Sequence, residues 1–384
     1  MRITILNQHT NNFGDEAAGI SLIDTLNEKF NNPEINLIYN GDGKISCNYK
    51  NVIHRLDYKL KYMGYFNILI KMFFRNYKGN NTMKKYDDLI KQSDYVIVAP
   101  CGANIGIYKD WRFLIRILFA VYNGKKPIFY LNTIGKSGNL IFDKIAKYVL
   151  KNSKVYVREI KSKEYLDSIN VRCSLGVDTA FLLKYKHKKE FEKNRIAFIL
   201  TDFSNHKNFK EINCYNFINE KILPDLCIFA KNKKLSISII PHLNTVEELK
   251  FIKSIVDIMK KKYNFNNVKI EKVKTVYDYY DNIAKSLFVV GMRYHAVVLG
   301  AKSNTPFLSL AYENKMVEVS NYTKMKEYNI TLYENKDFNI MGKLESLYKR
   351  NDEIRKKLKE VNPGLVNLAL IPMKEIDTNE KEFI

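Results

Sequence analysis

The chain has few cysteines and no pairs among them. Cys47, Cys101, Cys173, Cys214 and Cys227 are scattered, odd in number, and never spaced Cys-x-x-Cys. That leaves no zinc-binding pattern and no disulfide framework, and it fits free thiols in a reducing cytoplasm. Long hydrophobic runs are also missing. The longest, Tyr65 to Phe74 and Phe113 to Tyr122, are ten residues each and carry Lys71 and Arg116, too short and too charged to span a bilayer. The opening run from Met1 turns polar at Asn7, too soon for the apolar core of a secretory signal. Nucleotide and hydrolase signatures are absent as well. There is no P-loop, no His-Glu-x-x-His and no Gly-x-Ser-x-Gly, and Gly41-Asp42-Gly43 lacks the third glycine of a dinucleotide fingerprint. Pyridine-nucleotide, P-loop and zinc-hydrolase chemistry are left without a motif.

The chain is 384 residues long and 46% hydrophobic, enough for two domains, each with its own core. Its net charge is +22. Residues 1–180 hold 27 Lys and Arg against 16 Asp and Glu, and the remainder holds 36 against 25. The excess is spread evenly, which describes a lysine-rich surface favouring anionic partners rather than a nucleic-acid-binding tail. One stretch differs. Arg55 to Lys85 carries eight basic residues and one acid, Asp57, interleaved with Tyr62, Met63, Tyr65, Phe66, Phe73 and Phe74. Such a segment either lies on an anionic membrane surface or packs as an amphipathic helix on its own domain.

Strands and helices alternate in both halves. Apolar runs at Arg2–Leu6, Ile35–Tyr39, Tyr95–Ala99, Pro127–Leu131, Val155–Val157 and Val171–Leu175 read as strands, with helices near Glu16–Phe30, Phe113–Tyr122 and Ile141–Lys151 between them. Lys184 to Lys193 is a charged run expected to be the linker, and the pattern then restarts at Arg195. The expectation is an α/β chain of two Rossmann-like domains, residues 1–187 and 188–384, with a polar helical tail over about 344–360. The two are expected to face each other, GT-B-like, with a cleft between them.

Chemistry concentrates in Gly291 to Lys315. Leu287–Val290 reads as a buried strand ended by Gly291, Tyr294–Lys302 as a helix, and Phe307–Ala311 as the next strand. Arg293 and His295 therefore sit where a strand becomes a helix, beside free backbone N–H groups and the positive end of the helix dipole. Lys315 returns a second cation after the following strand. Fork, imidazole and helix end together suit a small anion. Other loops follow strands too. In Asn12-Phe13-Gly14-Asp15-Glu16, Asp15 or Glu16 either caps a helix or meets a sugar hydroxyl. Gly102 and Gly106 let backbone approach a ligand near Asn104. Arg158 either binds an anion or pairs with a nearby acid. Asp178, after Gly176, is a turn residue or a ligand contact.

These pieces resemble the polysaccharide pyruvyl transferase family. The matching segments are Asn12-Phe13-Gly14-Asp15, Pro100 to Ala103, Val157-Arg158-Glu159 with Ser162, Gly176-Val177-Asp178, Ile240-Pro241-His242, and Gly291 to His295 followed by Pro306 and Ala311 to Lys315. Cys101 and Ala103 depart from a glycine-only run, and Thr201-Asp202 stands where an arginine is common. The resemblance implies transfer of a pyruvyl group from phosphoenolpyruvate to two hydroxyls of a sugar. It implies His295 as the acid/base, and Arg293, Tyr294, Arg158 and Lys315 on the donor. Asn12, Gly14, Asp15, Gly102, Asn104, Asp178 and Tyr312 fall to the acceptor or its loops. It implies phosphoenolpyruvate as co-substrate with no tightly bound cofactor and no metal. The acceptor would be a glycan or lipid-linked saccharide at the inner face of the cytoplasmic membrane. The competing expectation is a GT-B glycosyltransferase whose cations hold a nucleotide-sugar diphosphate.

Overall fold

A computed structural model of the chain describes residues 1–56, 64–186, 190–204, 209, 213–243, 245–333 and 338–378. The strands are β1 (Arg2–Gln8), β2 (Glu34–Tyr39), β3 (Val52–Arg55), β4 (Tyr95–Val98), β5 (Ile128–Asn132), β6 (Lys154–Val157) and β7 (Ser174–Leu175), then β8 (Glu192–Ile199), β9 (Ser236–Ile239), β10 (Val268–Ile270), β11 (Ser286–Gly291), β12 (Phe307–Ala311) and β13 (Asn329–Thr331). The helices of the first half are α1 (Phe13–Lys29), α2 (Tyr65–Phe73), α3 (Asn81–Lys91), α4 (Trp111–Tyr122), α5 (Leu140–Lys151) and α6 (Ile160–Ser168). The second half adds α7 (Cys214–Phe217), α8 (Leu223–Asn232), α9 (Val246–Lys261), α10 (Val276–Ala284), α11 (Tyr294–Lys302), α12 (Asn314–Tyr322), α13 (Ile340–Lys349), α14 (Asn351–Ala369) and α15 (Ile371–Thr378).

The strands form two sheets, ordered β3-β2-β1-β4-β5-β6-β7 and β10-β9-β8-β11-β12-β13. Neighbours pair in parallel throughout, as in β1 with β4 and β8 with β11. This is the doubly wound arrangement, and it makes the chain two parallel-sheet α/β units. The strands are apolar because helices cover both sheet faces: β5 and β11 are buried at every residue. Local chemistry sets the helix starts. Asp110 accepts from Phe113 N at 3.1 Å to cap α4, and Asn139 accepts from Phe142 N at 3.0 Å to cap α5. Thr275 and Asp278 form a reciprocal capping box on α10.

Contacts divide the chain into a unit of Met1–Asn11, Asp15–Lys184 and Val366–Ile384 and a unit of Asn12–Gly14 and Tyr185–Leu365. Two features differ from the expected division at 187/188. The expected tail over 344–360 stays with the second unit, but the chain from Val366 on groups with the first. Tyr130 Oη donates to Ala369 O at 3.3 Å and Tyr156 Oη to Glu375 Oε2 at 2.8 Å, which ties the end of the chain to the first sheet. The tail is also longer than expected, running from α13 through α15 with Pro363 inside α14. Residues 12–14 group with the second unit. Of the expected linker, residues 187–189 lie outside the described residues, and Glu192 already belongs to β8. Gly291 ends its strand as expected, and does so as the last residue of β11, paired with Ser309. Lys315 lies just beyond β12, as expected, in the first turn of α12.

Candidate functional site

In a doubly wound sheet, ligands bind beyond the strand C-termini where the strand order reverses. In the second unit that point falls between β8 and β11. Arg293 stands one residue beyond β11, after Met292, and is the N-cap of α11. Its backbone is extended (φ −115°, ψ 138°), and no side chain caps that helix. The helices behind Glu159 and Glu313, α6 and α12, also lack a side-chain cap, as do α2 and α8. At α11 the positive end of the helix dipole lies beside a guanidinium and an imidazole, an arrangement suited to an anion.

A buried carboxylate fixes the arginine. Arg293 Nη2 lies 3.1 Å from Glu248 Oε1. The other oxygen, Oε2, accepts His242 N at 2.8 Å and also Leu243 N. Thr245 and Glu248 have the spacing of a capping box, but the Glu248 carboxylate serves these two N–H groups and Arg293. Burial pushes the Glu248 carboxyl up, and Arg293 opposes that push. Arg293 Nε is buried with no hydrogen-bond partner among the described residues.

His295 is buried in the first turn of α11. Its ring stacks on His242, with centroids 6.2 Å apart and planes 17° from parallel. The edge of Tyr294 meets it at 5.0 Å. His242 Nδ1 and Tyr279 Oη are 2.9 Å apart. Burial lowers the His242 pKa well below the ordinary histidine value, and Arg293, His295 and Lys315 add to the effect. Lys315 Nζ sits 5.3 Å over the Tyr294 ring and 2.9 Å from Glu313 Oε1. Tyr312 stacks on Phe203 at 6.2 Å, and burial raises its pKa. Asn12 and Gly14 reach the same place, since Asn12 bridges Leu243, Phe13 N donates to His242 O at 3.3 Å, and Phe13 stacks on Tyr279 at 5.6 Å. Thus Asn12, Gly14, Arg293, Tyr294, His295 and Lys315 come together. So do Glu248 and Tyr279, which sequence reading missed, and His242, noted only within a motif. The available signal was Pro241-His242 at the end of a strand; Glu248 and Tyr279 read as ordinary helix residues.

The remaining candidates belong to the first unit. Arg158 Nη1 and Asp178 Oδ2 form an ion pair at 2.6 Å, with side chains only 2% and 0% exposed. Asp178 Oδ1 also accepts Ala180 N, so both alternatives raised for this pair, ion pair and turn residue, are realised. Asn104 Nδ2 donates to Asp110 Oδ2 at 3.1 Å, and Asn40 Nδ2 donates to the same oxygen at 2.8 Å. Gly102 follows β4 at this sheet's own reversal point, and a Cβ there would meet only the Tyr108 ring at 3.6 Å. Asp15 offers its carbonyl to Gln8 Nε2 at 3.2 Å. Beside it, burial pushes the Glu16 carboxyl up to about 7. Burial likewise pushes the Cys101 thiol up to about 12, so it stays protonated. A cavity of about 510 Å³ opens at the opposite sheet edge, where β5, β6 and β7 begin. It is lined by Lys126, Lys154, Arg172, Cys173 and Glu375 among others, and by none of the candidates. Among the described residues no cluster of His, Cys, Asp and Glu has the makings of a metal site.

The family model of polysaccharide pyruvyl transferases matches residues 12–314. The chain belongs to the polysaccharide pyruvyl transferase family. The match takes in every candidate of both units except Lys315. Among curated proteins no sequence match is found. Solved structures with the same fold include Anabaena HepE in complex with UDP-glucose, 8% identical, TM-score 0.58, covering 100% of both chains. A UDP-GlcNAc 2-epimerase from Neisseria meningitidis bound to UDP-GlcNAc is 14% identical, TM-score 0.55, over 99% of this chain and 100% of that one. The UDP-GlcNAc 2-epimerase of Methanocaldococcus jannaschii is 13% identical, TM-score 0.57, over 96% and 93%. At such identities the likeness establishes the fold, two Rossmann-like units as in GT-B enzymes, and nothing about this chain's ligand.

Proposed function

We propose that the protein transfers the pyruvyl group of phosphoenolpyruvate to two hydroxyls of a sugar in a cell-surface glycan or its lipid-linked precursor. The products are a pyruvate ketal and phosphate. The observation that carries this reading is the meeting of Arg293, His295 and Lys315 at the uncapped start of α11, within a chain of this family. Phosphoenolpyruvate brings a phosphate and a carboxylate. Arg293 and the positive end of the α11 dipole suit one anion, and Lys315 the other. Ketal formation breaks the C–O bond to phosphate and removes a proton from each attacking hydroxyl; one proton goes to the enol methylene carbon and the other leaves with the phosphate. His295, the imidazole beside the proposed donor groups, is the acid/base in this scheme. Arg158 is a further donor contact in this reading. The acceptor falls to Asn12, Gly14, Asp15, Gly102, Asn104, Asp178 and Tyr312.

Phosphoenolpyruvate and a lipid-linked acceptor would meet at the inner face of the cytoplasmic membrane. No described helix is long and apolar enough to cross a membrane, so attachment would be peripheral, through the 55–85 segment. The deciding experiment is phosphate release from phosphoenolpyruvate over a panel of free and lipid-linked glycans, with His295→Ala as control. Acceptor-dependent release that the variant lacks supports the reading. Thermal stabilisation by a nucleotide sugar and none by phosphoenolpyruvate would replace it with a glycosyltransferase.

A further inference from the structure

The segment leaving β9 joins the parts of the second-unit site. His242 N and Leu243 N bind the carboxylate of α9 that holds Arg293, and His242 O accepts Phe13 N. Tyr279 of α10 bonds His242 Nδ1 and stacks on Phe13. The His242 ring lies against His295 within 17° of parallel. One residue is thus fixed through its backbone on both sides and through its ring nitrogen, and it offers a flat face to the candidate acid/base. We propose that His242 is the positioning residue of this site: its imidazole, locked by Tyr279, is the surface on which His295 is oriented and its proton affinity set.

The inference rests on the reading of His295 given above. The charged and titratable groups around the stack are Arg293 and Glu248, Lys315 and Glu313, with Tyr279 and Tyr294. Burial and the nearby cations hold His242 uncharged. On this side His295 thus faces an uncharged ring and not a third cation beside Arg293 and Lys315.

The test follows the imidazole titrations of the whole chain by NMR, with His295 assigned from the signal lost in His295→Gln. In His242→Ala the His295 midpoint should fall by about half to one pH unit, the equivalent of one aromatic contact. The acid limb of the phosphate-release profile should move with it. His242→Phe restores the flat face and should recover most of both. Tyr279→Phe keeps its stack on Phe13, removes only the bond to Nδ1, and should give a smaller shift in the same direction. A merely structural role would lower thermal stability and leave the His295 midpoint in place. An unmoved midpoint in His242→Ala and Tyr279→Phe, or a Phe variant no better than Ala, overturns the proposal. If the parent releases no phosphate from phosphoenolpyruvate, the functional reading fails, while the titration still decides the role of His242.

Discussion

Gly14 lies against the His295 imidazole with no room for a side chain: a Cβ added at Gly14 would fall 1.9 Å from Nδ1 and 2.1 Å from Cγ. The glycine is needed here for space. Gly14 N donates to Asn12 Oδ1 at 2.9 Å, so an ordered turn holds the backbone in place.

Gly14→Ala should therefore displace the imidazole while sparing the fold. A misplacement of about 1 Å at a catalytic group costs on the order of 10²-fold in rate. The check is turnover beside a thermal melt. Parental turnover in a folded Gly14→Ala protein would mean that the His295 ring position does not matter.

The fork of Arg293 should resist conservative replacement. Arg293→Lys puts a point charge where a planar fork spans Glu248 and the anion site. Losing one charged hydrogen bond is worth about 1.5–3 kcal/mol, so phosphoenolpyruvate should bind roughly ten- to a hundredfold more weakly. Calorimetric titration measures this directly. Equal affinity in Arg293→Lys and the parent would place the donor elsewhere.

Arg158 and Asp178 predict a stability effect. Both are buried, and each neutralises the other at 2.6 Å. Asp178→Ala leaves a guanidinium buried without its carboxylate and should cost about 3–5 kcal/mol. Urea unfolding gives the number. A loss under about 1 kcal/mol would show that other groups compensate the arginine.

Glu16 makes stability depend on pH. Its folded carboxyl is pushed by burial to about 7, above its ordinary value of 4.5. Between those values the folded chain keeps a proton that the unfolded chain has lost, so this group's contribution falls as pH rises through the window. Above about 7 the penalty is complete, at most ~3 kcal/mol. Glu16→Gln should flatten the melting temperature between pH 5 and 7.5. An unchanged slope would mean the carboxylate is solvated.

Much of the architecture was legible because fully buried parallel strands are plain apolar runs, as in β1, β4 and β11. What hid was short or polar. β3 is four residues ending in His54 and Arg55. The return of the tail rests on contacts such as Leu368 O, which a Cβ at Gly176 would meet at 2.7 Å, and no local pattern announces them. The site divides the same way. Arg293, His295 and Lys315 share one stretch of sequence and could be read together. His242, Glu248 and Tyr279 come from three other elements, and only the fold joins them.

The last prediction concerns the membrane, and the structure sharpens it. Within the basic segment, Lys59, Lys61, Tyr62 and Met63 lie outside the described residues. The described part includes the end of β3, all of α2 and the start of α3; in α2 Ile68 and Met72 are buried, while Phe73 and the adjoining Phe74 are 66% and 71% exposed. One face thus packs on the domain and the other presents aromatic groups beside Lys71 and Arg75. Tyr65 stacks on Trp111 of α4 at 6.2 Å, and Trp111 meets Phe142 of α5 edge-on at 5.1 Å. At the start of α5, Leu140 and Ile141 are exposed too. Exposed aromatics suit an interface, and each basic residue near an anionic surface adds ~1 kcal/mol. The chain should co-sediment with phosphatidylserine vesicles at low salt and largely release at high salt. Phe73→Ser with Phe74→Ser should weaken binding even at low salt. Replacing Lys59, Lys61, Lys71 and Arg75 by Gln should remove mainly the salt-sensitive part, and neither set should alter affinity for phosphoenolpyruvate. If the parent ignores anionic vesicles, or both sets bind them like the parent, α2 is an ordinary packed helix and the acceptor reaches the enzyme some other way.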